Sequence, residues 1–139
     1  MYNIFIRSRP RPKGSVMTVP TVHNWFSAGA QIKDLCEVSE AFIRGDQPEK
    51  TEHLTLDDIT KLHERAMAVL DFCVRVMPRK HSFEITEIET YVSARQFARN
   101  LTHQLLHHPD FDRSSEFGRQ LHRWVTEEER HLPNVPQLV

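Results

Sequence analysis

Glycine is scarce in this chain, with only four residues among 139. Phosphate-cradling loops and all-β folds rely on glycine for tight turns and close backbone approach, so its scarcity argues against both. Long apolar runs are also missing, since no stretch reaches the about 18 residues that a membrane-spanning helix requires. The sequence therefore predicts neither a phosphate-binding loop nor a membrane partner.

Cysteine is equally rare, and Cys36 and Cys73 are the only two. Each lies within a helical pattern of apolar residues, which indicates a packed thiol rather than a disulfide framework. No secretory signal is expected, because the apolar stretch at 2–6 precedes the basic residues instead of following them. These features predict reduced cysteines and a cytoplasmic protein.

Acidic residues are missing from the beginning of the chain, where the first one is Asp34. Prolines interrupt the same region, so residues 1–20 are predicted to form an extended basic tail before a helical domain at 21–139. The tail is either an arm for an acidic partner or a solvated leader, with Met17 as an alternative natural start. Its basic residues are Arg7, Arg9, Arg11 and Lys13. Because the net charge of the chain is only −1, nucleic-acid binding is not expected except through these residues.

Apolar residues recur at helical spacing in four segments. The predicted helices cover residues 24–44, residues 55–77, a third segment from 82 or 86 to 107, and a fourth from 110–115 to 131. Amphipathic helices with short connections predict an all-α, four-helix bundle-like single domain. Glycine is mildly unfavourable inside a helix. Its presence at position 118 of the last helix predicts a point where a neighbouring helix approaches closely.

Three helix starts carry capping signals. Asn24 is a suitable N-cap for the first helix. Thr55 is predicted to cap the second, with Asp58 completing a capping box, and Thr86 with Glu89 repeats that spacing in the third.

The second helix contains an unusually apolar stretch at 66–77. On a helical projection its apolar residues cover an arc of roughly 220°, whereas an ordinary surface helix needs little more than about 100°. This helix therefore needs neighbours on two sides, which are either other helices of the same chain or a partner molecule. Met67, Phe72 and Val74 lie at the shoulders of the arc.

Trp25 and Phe26 are adjacent at the start of the first helix, so both cannot follow one apolar stripe and one is expected to be exposed. Aromatic side chains are good interface anchors, and methionine adapts to varied contacts. The predicted partner-binding residues are therefore Trp25, Phe26, Met67, Phe72 and Val74. They predict a protein partner or a homo-oligomer. No cofactor is predicted for this chain.

Histidines offer one candidate for a metal site. His103 and His107 have the i,i+4 spacing that can hold one ion, and His122 with Glu127 resembles another part of the hemerythrin-type pattern. Both histidines of the first pair fall on the polar side of their predicted helix. Surface histidines explain the pattern better, and no metal site is predicted.

Carboxylates offer the alternative enzyme hypothesis. Glu37 and Glu40 resemble the first half of the Mg²⁺-binding motif in all-α nucleotide pyrophosphohydrolases of the MazG type. The acidic pair that this family carries on the next helix is missing here. Solvated carboxylates explain Glu37 and Glu40 better, so no residue is assigned a catalytic role.

The part of the chain at 54–139 resembles the quorum-sensing LasR-specific antiactivators, which are small helical bacterial regulators. The resemblance rests on size, helix order and the second helix with its methionine and aromatic residues, rather than on a short motif. It implies a non-enzymatic regulator that sequesters a LuxR-type transcription activator by blocking its dimer or DNA-binding surface. The basic tail lies outside this resemblance.

Overall fold

The computed structural model describes residues 22–43 and 55–137, and the side chains of 39–43 are excepted. The four α-helices in this part of the chain are α1 (Trp25–Ile43), α2 (Leu56–Val76), α3 (Ile85–His107) and α4 (Glu116–Arg123). No strand occurs among the described residues, so the all-α prediction is confirmed. None of these helices combines the length and apolar character needed to cross a bilayer. The predicted tail at 1–20 lies outside the described residues.

The first two helices begin where the capping patterns place them. The Asn24 side chain accepts a hydrogen bond from the Ser27 backbone N–H at 2.8 Å. The Thr55 hydroxyl accepts from the Asp58 N–H at 3.1 Å, and the Asp58 carboxylate accepts from the Thr55 N–H at 3.3 Å. These contacts satisfy amide donors that have no partner within their own helix.

The start of α3 differs from the prediction. Thr86 and Glu89 do not form the capping box, because the helix already begins at Ile85 with Glu84 as its N-cap. The Glu87 carboxylate accepts from the Glu84 backbone N–H at 3.0 Å. The box is thus shifted by two positions and uses glutamate in place of threonine.

The fourth predicted helix is helical through His131 but changes its hydrogen bonding on the way. After α4 the chain forms a π-helical segment at Trp124–Glu128 and a 3₁₀ turn at Glu129–His131. Gly118 does permit a close approach, but to its own preceding turn rather than to another helix. A Cβ added at Gly118 would lie 2.5 Å from the carbonyl oxygen of Arg113.

The long helices α1, α2 and α3 pack against one another, and the shorter α4 packs against α3. The bundle is therefore built around three long helices, with α2 and α3 sharing the most extensive contact. The core residues of α2 are Ile59, Ala66, Met67, Val69, Leu70, Phe72 and Cys73. Because α2 contacts helices on two sides, its wide apolar arc is used largely within the chain.

A polar network attaches the C-terminal segment to α3. The buried Tyr91 donates its hydroxyl hydrogen bond to the Pro133 carbonyl, and Arg95 donates to the same carbonyl at 3.3 Å. Arg99 forms an ion pair with Glu129, and Arg95 approaches the same carboxylate at 3.8 Å. These contacts between α3 and the segment at 129–133 hold the C-terminal part of the described chain in place.

Candidate protein-binding surface

The adjacent aromatics of α1 point to different environments, as predicted. The half-buried Trp25 packs edge-to-face on Phe72, with their ring centroids 5.4 Å apart. Phe26 is 86% exposed, more than any other large hydrophobic side chain in the described residues. The T-shaped pair fixes α1 on α2, so the Phe26 ring projects from a helix whose position is set by packing beneath it.

The predicted exposed patch on α2 does not form. Met67 is only 2% exposed and Phe72 only 4%, while Val74 is half-buried and packs against the core. The expectation that Met67 and Phe72 lie at the surface is therefore wrong. The physical reason is that neighbours from the same chain cover them, Trp25 among those on Phe72.

Phe26 lines a groove of 610 Å³ between α1 and the start of α3, which we call the Phe26 groove. Its lining residues are Trp25, Phe26, Gly29, Ala30, Lys33, Glu84, Thr86, Glu87 and Thr90. The α1 side is aromatic or small except for Lys33, and the α3 side is acidic or hydroxylic. Glu87 is fixed by an ion pair with Lys80 at 3.2 Å. The groove thus has an apolar wall, with opposite charges on its two helices.

The histidine and carboxylate candidates stay dispersed. His103 and His107 are exposed, and their rings stack with centroids 6.2 Å apart. Among the described residues no three histidine, cysteine or acidic side chains converge into a metal site. Glu37 is exposed, and the side chain of Glu40 lies outside the described residues.

His63 is a buried titratable group that the capping and metal patterns did not single out. It is 1% exposed, and neither ring nitrogen has a hydrogen-bond partner within the described structure. Its ring meets Phe117 edge-on, with centroids 5.9 Å apart. Burial lowers the pKa of His63 to about 4, because the charged imidazolium is poorly solvated there. Its spacing of four residues from Ile59 and three from Ala66 is the signal that places it on the buried stripe.

Cys36 and Cys73 do not form a disulfide in the described structure. Cys73 is buried, and burial raises the pKa of its thiol to about 12. The nucleophilic thiolate is therefore nearly absent at neutral pH. We expect iodoacetamide to leave Cys73 unmodified in the native protein and to alkylate it in denaturant, as measured by peptide mass spectrometry. A Cys36→Ser variant isolates the signal, and rapid native labelling of that variant would contradict the described burial.

Comparisons of the chain with protein-family models, curated proteins and solved structures found no match.

Proposed function

We propose that this protein is a non-enzymatic regulator that binds another protein through the Phe26 groove. The observation that carries the proposal is the 86% exposure of Phe26 on a helix held in place by Trp25. Burying a phenylalanine side chain contributes about 1.5–3 kcal/mol. A partner that covers Phe26 gains this free energy without having to reorganise α1, since the helix is already packed.

The shape and charge of the groove favour an amphipathic partner helix. Such a helix would place apolar side chains against Trp25 and Phe26, as in other helix-in-groove interfaces. Lys33 would face an acidic side chain of the partner, and Glu84 a basic one. The opposite charges would fix the direction of the bound helix more than they add to affinity.

The resemblance to LasR-specific antiactivators supports a more specific partner. On that basis the bound protein is a LuxR-type transcription activator, and its capture blocks dimerisation or DNA binding in the cytoplasm. Homo-oligomerisation through the same groove is the competing use of Phe26. If the groove binds the activator, Phe26→Ser weakens repression. If it serves only homo-oligomerisation, Phe26→Ser changes only the molecular mass of the protein in solution.

The test measures transcription from a LuxR-type promoter in cells that co-express the activator and this chain. We expect the wild-type chain to reduce transcription. In a binding measurement with the purified activator, the Phe26→Ser variant should have an affinity about tenfold or more below that of the wild type, as for an interface anchor. Val135→Ser is the matched control, because Val135 is also exposed, at 43%, and does not line the groove. Full repression by Phe26→Ser, or none by the wild type, would contradict the proposal. Sedimentation of both variants reports any oligomer directly.

A further inference from the structure

A second groove, of 680 Å³, lies between the end of α3 and the α4 region. We call it the Arg119 groove. Its charged and titratable lining residues are His107, Arg113, Arg119, His122, Arg123 and Glu127. Guanidinium groups thus outnumber the single carboxylate of the lining. This composition differs sharply from the apolar wall of the Phe26 groove.

Local contacts hold parts of the groove lining in place. Arg119 donates to the Ser114 carbonyl at 3.0 Å, which holds its guanidinium against the turn before α4. The close approach at Gly118 holds the same turn, and therefore Arg113, against the helix. On α3, His107 Nδ1 lies 2.8 Å from the His103 carbonyl oxygen, a contact that fixes its ring at the edge of the groove.

The three arginines of this groove carry no ion pair in the described residues, whereas four of the other described arginines do. Arg65, Arg75, Arg95 and Arg99 each pair with a carboxylate. The nearby Asp112 carboxylate accepts from the Ser114 N–H and hydroxyl, at 3.0 and 2.6 Å. These hydrogen bonds, with a smaller contribution from Arg119, lower the pKa of Asp112. The Asp112 carboxylate is thus held by the turn, and its negative charge lies close enough to interact with Arg119.

A π-helical segment forms one border of the same groove. Thr126 and Glu127 belong both to the lining and to Trp124–Glu128. Single π-helical turns within helices occur frequently at functional sites, because they displace side chains from their regular helical positions. The segment therefore adds a second feature, independent of charge, to this groove.

We propose that the Arg119 groove binds a small molecule carrying a diphosphate group. Arginine recognises phosphate oxygens through paired N–H donors, and guanidinium groups that form no ion pair keep donors for them. Three of them around one concavity suit a diphosphate better than a single carboxylate. The volume falls within the range of about 300–1,000 Å³ that is usual for small-molecule sites. The site is separate from the Phe26 groove and does not depend on the proposed partner.

The experiment is calorimetric titration of the full chain with inorganic pyrophosphate, ADP and adenosine. We expect pyrophosphate and ADP to bind and adenosine not to bind, with affinity falling as salt concentration rises. If ADP binds more tightly than pyrophosphate, the ligand is a nucleotide. If both bind equally, the diphosphate group alone is recognised. Either outcome supports the proposal. Arg123→Gln should weaken binding by about tenfold or more, since a charge-assisted contact is lost.

Arg79→Gln is the matched control, because Arg79 is exposed on the 3₁₀ turn Met77–Arg79 and does not line the groove. Circular dichroism verifies that both variants fold. Absence of pyrophosphate and ADP binding would overturn the proposal. Equal weakening by Arg79→Gln would also overturn it, since that result indicates unspecific attraction to surface charge. Binding of an acidic peptide or RNA, but not of pyrophosphate, would assign the groove to a macromolecule instead.

Discussion

Lowering the pH from 8 to 5 is expected to remove about 2 kcal/mol from the free energy of unfolding through His63 alone. In the folded chain the pKa of His63 is lowered from 6.5 to about 4 by complete burial. The unfolded chain therefore binds more protons than the folded one between these two values. Stability from this group is fully present above about pH 6.5 and is lost progressively as the pH falls towards about 4.

Urea denaturation at a series of pH values measures this effect. Other groups also titrate in the acidic range, so the informative quantity is the difference between the wild type and His63→Phe. We expect the variant not to show the loss of unfolding free energy that is assigned to His63, because phenylalanine binds no proton. Phenylalanine can also keep the edge contact with Phe117. His81→Gln, which removes an exposed histidine, should retain the wild-type pH dependence. If the free energy of unfolding of wild type and His63→Phe depended on pH in the same way, the assignment would be contradicted. A constant difference in stability between the two proteins would not change this conclusion.

The local determinants of this fold could be predicted from the sequence, because they depend on residues a few positions apart. Asn24 and Thr55 cap their helices through contacts within three residues. The predicted capping box of α3 is wrong because the helix begins earlier, where Glu84 and Glu87 form the box instead of Thr86 and Glu89. When two spacings compete at a helix start, the choice depends on packing that a local pattern does not contain.

Burial at the candidate surface was predictable only in part. The breadth of the apolar arc showed that α2 needs neighbours on two sides, and it could not show which molecule supplies them. In the structure Trp25 of the same chain packs on Phe72, and Phe26 is exposed. Met67 was expected at a shoulder of the arc and is a core residue. Adjacency of two aromatics predicted one exposed ring, but only tertiary packing decided which.

Long-range polar contacts were not predictable at all. Arg99 and Glu129 are 30 residues apart and form an ion pair, while Tyr91 contacts a carbonyl 42 residues away. Neither pairing leaves a periodic signal in a single sequence. The same limit applies to the Arg119 groove, whose arginines belong to a turn and a helix that fold back on each other at Gly118.

Gly118→Ala and Gly29→Ala are expected to change stability in opposite directions, although both replace a helical glycine. Alanine is favoured over glycine in a helix by about 1 kcal/mol. At Gly29 the added Cβ would meet Thr90 Oγ1 at 3.6 Å, which is an ordinary van der Waals distance. The propensity gain is then unopposed, and we expect Gly29→Ala to raise the free energy of unfolding by about 0.5–1 kcal/mol.

At Gly118 the same methyl group would lie 2.5 Å from the Arg113 carbonyl oxygen and 2.8 Å from that of Asp112. Both obstacles are backbone atoms, so relief requires the turn to move away from α4 and to disturb the Ser115 cap on the Gly118 N–H at 3.0 Å. Such overpacking costs about 1–3 kcal/mol, and we expect Gly118→Ala to be destabilising by that order despite its higher helix propensity. Urea denaturation of the two variants measures the difference. A Gly118→Ala protein as stable as Gly29→Ala would show that the turn is not held against α4, and the arrangement of Arg113 beside Arg119 would lose its basis.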